Sequence, residues 1–176
     1  MTASTAFGAI SGSSDDFQQI VALCESLRVY CLFGVLAINC YVEPVYTMDA
    51  DFALATAHLN PVKQRLAALG FEVEDRPHSL NALRPGSQFR ILFTKDARYT
   101  AFPARAEIRE TLGVRLRAAA LADLVQAKVW SRSDPQRRLS KRKNDELDLI
   151  RVAEQYPQFT PQLPEAIRGQ FGEKAA

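Results

Sequence analysis

The stretch CLFGVLAINCYVEPVYTMDADFAL, residues 31–54, decides how this chain is read. It opens with an apolar run that breaks at Gly34. An apolar segment over residues 35–40 follows, long enough for two turns of helix, and then a loop over residues 41–46 containing Pro44. The last part, residues 47–54, is expected to be a strand with Asp49 and Asp51 on one face, because side chains two apart on a strand point the same way and stand about 7 Å apart. Two carboxylates so placed can share a divalent cation, or a pair of cations about 3.5–4 Å apart. Oxygen ligands of this kind suit magnesium or manganese. The plainer reading is an exposed strand face with two solvated acids. Gly34 also has two readings: it ends a strand, or it makes a turn at a helix N-terminus whose free N–H groups attract phosphate.

Outward from this stretch, hydrophobic spacing predicts the neighbouring elements. Ser13 or Ser14 can cap a helix with Asp15 and Asp16 near its N-terminus, and Phe17, Ile20, Val21, Cys24 and Leu27 keep helical period. Residues 28–33 read as a buried strand leading into Gly34. Downstream, Pro61 starts a helix with Val62, Leu66 and Leu69 on one side, and Gly70 ends it. Residues 71–74 and 88–93 alternate as strands, the latter with Phe89, Ile91 and Phe93 inward; residues 80–84 are a further candidate, and Pro85-Gly86 is a turn. Residues 95–102 form a loop with Tyr99. Two short strands over 104–109 and 114–117 flank Leu112-Gly113. Leu121, Leu124, Val125 and Val129 then line a helix, residues 131–140 link it to another over 144–155, and a short helix over 165–171 closes the chain.

The 176 residues favour one domain, and a hydrophobic content of 47% supports a real core. Charge is close to balanced, 22 basic against 20 acidic residues, so only local clusters argue for a polyanionic partner. Three cysteines without a Cys-x-x-Cys pair fit a reducing cytoplasm better than a disulfide framework or a zinc site. Two histidines exclude a histidine-rich metal centre. No apolar run is long enough for a membrane span, and the N-terminus does not read as a secretory signal. Residues 1–13 read as a flexible tail.

The turn Gly34-Val35-Leu36-Ala37, the run Thr47-Met48-Asp49-Ala50-Asp51, the segment Ala122-Asp123-Leu124-Val125-Gln126-Ala127-Lys128 and the segment Arg142-Lys143-Asn144-Asp145-Glu146-Leu147-Asp148-Leu149 follow one another in order. Together they resemble the nucleotidyltransferase superfamily of the DNA polymerase beta-like fold. That family carries a glycine turn, a helix, an Asp-x-Asp strand, then a distal lysine and an Asp-x-x-Asp helix. The likeness covers residues 15–155, and the branch most similar is the abortive-infection toxin type. It implies an α/β (α+β) fold: a mixed-sheet core over residues 14–118 with flanking helices, and a C-terminal helical portion over residues 119–176. It also implies transfer of a nucleotidyl group from an NTP to an RNA or protein acceptor, such as a tRNA 3′ end, in a toxin countered by a cognate antitoxin.

Under that resemblance Asp49 and Asp51 hold Mg2+ or Mn2+, and Lys128 acts with them on the nucleotide phosphates. Gly34, Thr47, Arg90, Arg138, Arg142, Lys143 and Asp145 complete the nucleotide site. The run of residues 137–143 is the one dense basic cluster, able to bind triphosphate or an RNA backbone, or simply a solvated loop. Thr47 is a β-former or a hydroxyl for phosphate. Lys128 is otherwise a surface lysine, and Asp145 and Asp148, three apart on a helix, can hold Arg142 or Lys128 in place. Two departures from the family pattern stand out. Val35 occupies the second small position of the turn. Arg90 takes the strand position of the third carboxylate, where it binds phosphate or pairs with Asp49 or Asp51 in place of a metal. The alternative function is therefore a catalytically degenerate fold that binds nucleotide, RNA or a partner protein.

Overall fold

A computed structural model describes residues 13–172, so all of the predicted N-terminal tail except Ser13 lies outside the described residues. Helix α1 (Ser13–Leu27) is followed by β1 (Tyr30–Phe33), the short helix α2 (Gly34–Ile38) and β2 (Asp49–Leu54). Helix α3 (Leu59–Ala68) leads to β3 (Glu72–Asp75), β4 (Ser79–Leu83) and β5 (Arg90–Thr94). The hairpin β6 (Glu107–Thr111) and β7 (Val114–Ala118) precedes α4 (Leu121–Ser133), α5 (Leu139–Gln155) and α6 (Glu165–Arg168). The seven strands form one mixed sheet, ordered β3-β4-β5-β2-β1-β7-β6. The pairs β2–β5 and β1–β7 are parallel and the others antiparallel. This is the expected mixed α/β architecture.

Register sorts the side chains between the two faces, because directly paired residues point the same way. Leu32 pairs with Phe52, Phe52 with Phe93 and Phe93 with Leu80, and all four are buried. Phe52 and Phe93 stack at 5.5 Å between ring centroids, and Phe17 of α1 meets Phe89 edge-on at 6.0 Å. The Arg65 guanidinium of α3 donates to the Ser26 hydroxyl at the end of α1, which ties the two helices together. The opposite face carries Phe33, Asp51 and Leu92 in one row and Asp49 and Arg90 in the next. Over Phe33 lie Tyr99 (4.6 Å) and then Trp130 of α4 (5.8 Å from Tyr99), so α4 sits on this second face.

Arg84, just past β4, ties several elements together. Its Nε donates to the buried Asp16 carboxylate of α1 at 2.5 Å, its Nη1 to the Leu69 carbonyl at 2.9 Å, and its guanidinium lies 4.3 Å from the centre of the Phe71 ring. Arg84→Met would strand Asp16 without its cation. We expect a loss of about 2 kcal/mol in urea unfolding, and a loss below about 0.5 kcal/mol would mean that water replaces the guanidinium.

Several boundaries differ from the sequence reading, each for a physical reason. β1 starts at Tyr30 and not at residue 28, because Arg28 adopts a left-handed φ of 62° that turns the chain out of α1. Leu69 does not join Val62 and Leu66 in the core; it lies beyond the last turn of α3 and is 40% exposed. The first strand of the last hairpin begins at Glu107, because residues 102–105 form a 3-10 turn. The largest difference is at α5, which begins at Leu139 and not at residue 144, while α4 runs on to Ser133. The break is short because the Asp134 side chain accepts from the Gln136 N–H at 2.9 Å and turns the chain at once. Lysine and arginine are good helix formers, so most of the basic run winds into the first turns of α5 and is not a loop.

Candidate active site

Gly34 ends β1 with φ of +73°, a conformation that L side chains rarely adopt, and its missing side chain leaves room for the Asp51 carboxylate. A Cβ built at Gly34 would collide with Asp51 Oδ2. Phe33 and Asp51 are register partners across β1 and β2, which places this acid beside the bend. The loop from α2 to β2 is closed by Asn39, whose amide donates to the Val45 carbonyl at 2.8 Å and accepts from the Val45 N–H at 3.1 Å. The Thr47 hydroxyl accepts from the Asp49 N–H at 3.2 Å and so sets the start of the strand.

Asp51 is shared by two cavities. One, of about 310 Å³, is lined by Phe33, Gly34, Asp51, Lys128, Arg137 and Asp145. The other, of about 630 Å³, lies on the open sheet face and is lined by Asp49, Asp51, Glu72, Glu74, Arg90 and Lys141, with Arg137 at the boundary of both. Burial pushes the Asp51 carboxyl up to about 6, and the like charge of Asp49 adds to this. Lys128, Arg137 and Lys141 oppose the rise, which puts three cations from the helical half within electrostatic reach of this acid.

Asp49 faces Arg90, its register partner on β5, with Arg90 Nε donating to Asp49 Oδ1 at 2.6 Å. Lys128 of α4 is buried, and its ammonium lies 2.9 Å from Asp145 Oδ1 and 2.7 Å from Asp148 Oδ2 on α5. Burial alone would lower the lysine, but Asp148 and Asp145 hold it above its ordinary value, so it is charged. Arg137 Nε donates to Asp145 Oδ2 at 2.7 Å.

The structure therefore gathers Gly34, Asp49, Asp51, Arg90, Lys128 and Asp145 around one cleft. Arg138, Arg142 and Lys143 are not among the side chains lining either cavity; Lys143 is 62% exposed and pairs with Glu146 at 3.3 Å. The basic run reaches the cleft through Arg137 and Lys141 instead. On a helix starting at Leu139, Lys141 shares its face with Asp145 and Asp148, so the helical spacing 141, 145, 148 was the available signal. Thr47 is occupied by the backbone of Asp49 and lines neither cavity.

Among the described residues no group of three or more His, Cys, Asp and Glu side chains could hold an ion. Magnesium, however, is commonly held by one or two carboxylates together with water and substrate phosphates. Asp49 and Asp51 are hard oxygen donors on one strand face, and the repulsion between them, which adds to the effect of burial on Asp51, is what a dication would relieve. The pair fits such a metal only with the substrate supplying the remaining ligands.

No family model matches the chain, and no curated protein matches it in sequence. Solved structures do. The antibiotic-resistance factor ANT(2'')-Ia matches with a TM-score of 0.61 at 13% identity, over 92% of each chain. The same protein in complex with adenylyl-2''-tobramycin matches with a TM-score of 0.59 at 13% identity, over 93% of this chain and 98% of that one. The lincosamide antibiotic adenylyltransferase LnuA, lincomycin-bound, matches with a TM-score of 0.54 at 12% identity, over 77% of this chain and 94% of that one. At this level of identity the likeness is one of architecture: the chain shares the fold of these proteins, with its cleft between the Asp49–Asp51 strand and the two long C-terminal helices.

Proposed function

We propose that this protein transfers a nucleotidyl group from an NTP to an acceptor hydroxyl, with the nucleotide held between the core of residues 14–118 and the helical portion of residues 119–176; the hydroxyl oxygen bonds to the α-phosphorus as the α–β phosphoanhydride bond breaks, pyrophosphate leaves and the hydroxyl proton is released to solvent. One observation carries the reading: a partly buried, destabilised carboxylate, Asp51, shares a cavity with the cations Lys128 and Arg137. The fold shared with adenylyltransferases supports it. Asp49 and Asp51 would hold Mg2+ or Mn2+, and the bound cation would neutralise charge at the phosphates. Lys128 offers the triphosphate a buried positive charge. Arg137 and Lys141 extend that field to the mouth of the cleft. Gly34 leaves the space in which Asp51 turns towards the cavity. The site works by orientation and charge placement, with no covalent intermediate on the protein.

The acceptor is a small hydroxylated compound, as the names of the structural relatives suggest, or the RNA 3′ end or protein side chain of a toxin-type enzyme. A neutralising partner protein belongs only to the second case. The test is incubation with each α-labelled NTP and magnesium, in separate reactions with lincosamides and aminoglycosides, total tRNA, and cell lysate. Label that moves to one acceptor class, and stops moving in Asp49→Ala, supports the proposal. Absence of transfer from every NTP to every acceptor contradicts it.

The second reading, a catalytically degenerate fold that binds nucleotide or RNA or a partner protein, is favoured by the Arg90–Asp49 contact, which places a guanidinium against one of the two metal-facing acids. Arg90 is 65% exposed at its side chain, and exposed pairs contribute about 0–1 kcal/mol. Two phosphates and a dication can therefore displace it. Arg90→Ala is expected to cost less than about 1 kcal/mol of stability and to tighten manganese binding measured by calorimetry in the presence of NTP. If metal affinity is unchanged and NTP binds equally well in EDTA, the degenerate reading holds instead.

A further inference from the structure

Asp145 is 1% exposed, yet both of its carboxylate oxygens are taken by cations that line the cleft. Oδ1 accepts from Lys128 Nζ at 2.9 Å and Oδ2 from Arg137 Nε at 2.7 Å. Asp148, one turn further along α5, takes Lys128 Nζ on Oδ2 at 2.7 Å and Arg151 Nη1 on Oδ1 at 2.7 Å. Arg151 in turn donates through Nη2 to Asn39 Oδ1 at 3.3 Å and to the Glu43 carbonyl, on the loop that leads into the Asp49–Asp51 strand. A chain of alternating charges thus runs Arg137–Asp145–Lys128–Asp148–Arg151 and ends on that loop.

Donor counting shows what this does to the cleft. A lysine ammonium has three N–H donors; on Lys128 one is held by Asp145 in a hydrogen bond, and Asp148 Oδ2 pairs with the ammonium as an ion at 2.7 Å, so N–H donors remain for a ligand. Arg137 has five donors in a rigid fork. Its Nε is fixed on Asp145, and its Nη2 lies 3.5 Å from the same carboxylate, so the outer edge of the guanidinium is the edge left to the cavity. Both carboxylate oxygens of Asp145 are thus engaged by these two cations.

We propose that Asp145 is a positioning residue: sharing its carboxylate between Lys128 and Arg137, it orients the lysine ammonium and the outer guanidinium edge towards the cavity of Asp51, where a triphosphate is gripped. This rests on the nucleotidyl-transfer reading of the site and specifies how the phosphate grip is built. It also reassigns Asp145 from direct contact with nucleotide to action through two cations.

Positioning and plain charge balance differ in sign. Removing a negative charge beside two cations tightens binding of a polyanion if Asp145 only neutralises them; it weakens binding if Asp145 orients them. The experiment is calorimetric titration of the full chain with magnesium tripolyphosphate and with each magnesium NTP, for wild type, Asp145→Asn, Asp145→Glu and Arg137→Ala, with thermal unfolding of each. We expect Asp145→Asn and Asp145→Glu each to weaken tripolyphosphate binding at least about tenfold, the loss of one charge-assisted contact, and Arg137→Ala to weaken it comparably. In the Arg137→Ala background, Asp145→Asn should then add less than it does alone, because part of its effect runs through that arginine. Tighter or unchanged binding in Asp145→Asn, or in Asp145→Glu where the asparagine variant fails to fold, overturns the positioning role while leaving the nucleotidyl-transfer reading intact. Wild-type protein that binds neither tripolyphosphate nor any NTP overturns both.

Discussion

An Asp51→Asn variant is expected to be more stable than wild type at about pH 7.5, by about 2 kcal/mol, and to lose nucleotidyl transfer by at least about a thousandfold. The stability gain follows from linkage. Burial and the neighbouring Asp49 raise the Asp51 carboxyl from 3.8 to about 6 in the folded chain. A carboxyl whose folded pKa lies above its unfolded value favours the fold when protonated. That contribution is complete below about pH 4 and is lost as pH rises through about 6. The shift corresponds to about 3 kcal/mol at 1.36 kcal/mol per unit, and partial exposure of Asp51 brings the expected gain to about 2 kcal/mol. Asparagine has nearly the same shape and no charge. The variant and wild type should therefore unfold at similar urea concentrations near pH 4, diverge between about pH 4 and 6, and keep the full difference above that. Equal stability of the two across the whole range would mean that Asp51 is solvated like any surface acid, and the site would lose its most distinctive feature. Stability and activity moving in opposite directions is the signature of a group held at an energetic cost for function.

Gly34→Ala is expected to cost about 3–4 kcal/mol, the largest effect of a single methyl group anywhere in the cleft. Two causes add. The left-handed φ of +73° strains any L residue, by about 1–2 kcal/mol. The new Cβ also meets the Asp51 carboxylate, which has Leu92 beside it on β5 as its register partner. Only the second cause depends on residue 51. In an Asp51→Ala background the same substitution should cost about 1–2 kcal/mol, giving a coupling near 2 kcal/mol in a double-mutant cycle read by urea unfolding. Additive costs would show that Gly34 serves the backbone turn alone and that Asp51 does not need its space.

Much of this architecture was legible because it is local. The alternation that puts Asp49 and Asp51 on one strand face needs only a period of two, and the buried Phe89, Ile91 and Phe93 follow the same rule. The pairing of Arg90 with Asp49 was one of two alternatives the residue type allowed; choosing it required the parallel β2–β5 register, which joins strands far apart in the chain. The identity of the cleft-facing cations was not legible for a different reason. A linker ending at residue 140 hides the helical period, and without that period Arg138, Arg142 and Lys143 look equivalent to Arg137 and Lys141. Once α5 begins at Leu139, the angular positions of the basic side chains are fixed, and the buried Asp145 shows which arginine is held. The contact of Asp51 with Gly34 depends on a positive φ that a sequence can suggest but cannot place in space.

The central proposal is that the Asp49–Asp51 face and the cations opposite it form one metal-dependent nucleotide site. The most direct measurement is manganese binding, followed by electron paramagnetic resonance, in the presence and absence of each NTP, for wild type and Asp51→Asn. The expected result is weak binding of the metal alone, marked tightening with at least one NTP, and loss of that tightening in Asp51→Asn. Manganese binding that no NTP strengthens, or that persists unchanged in Asp51→Asn, would contradict it.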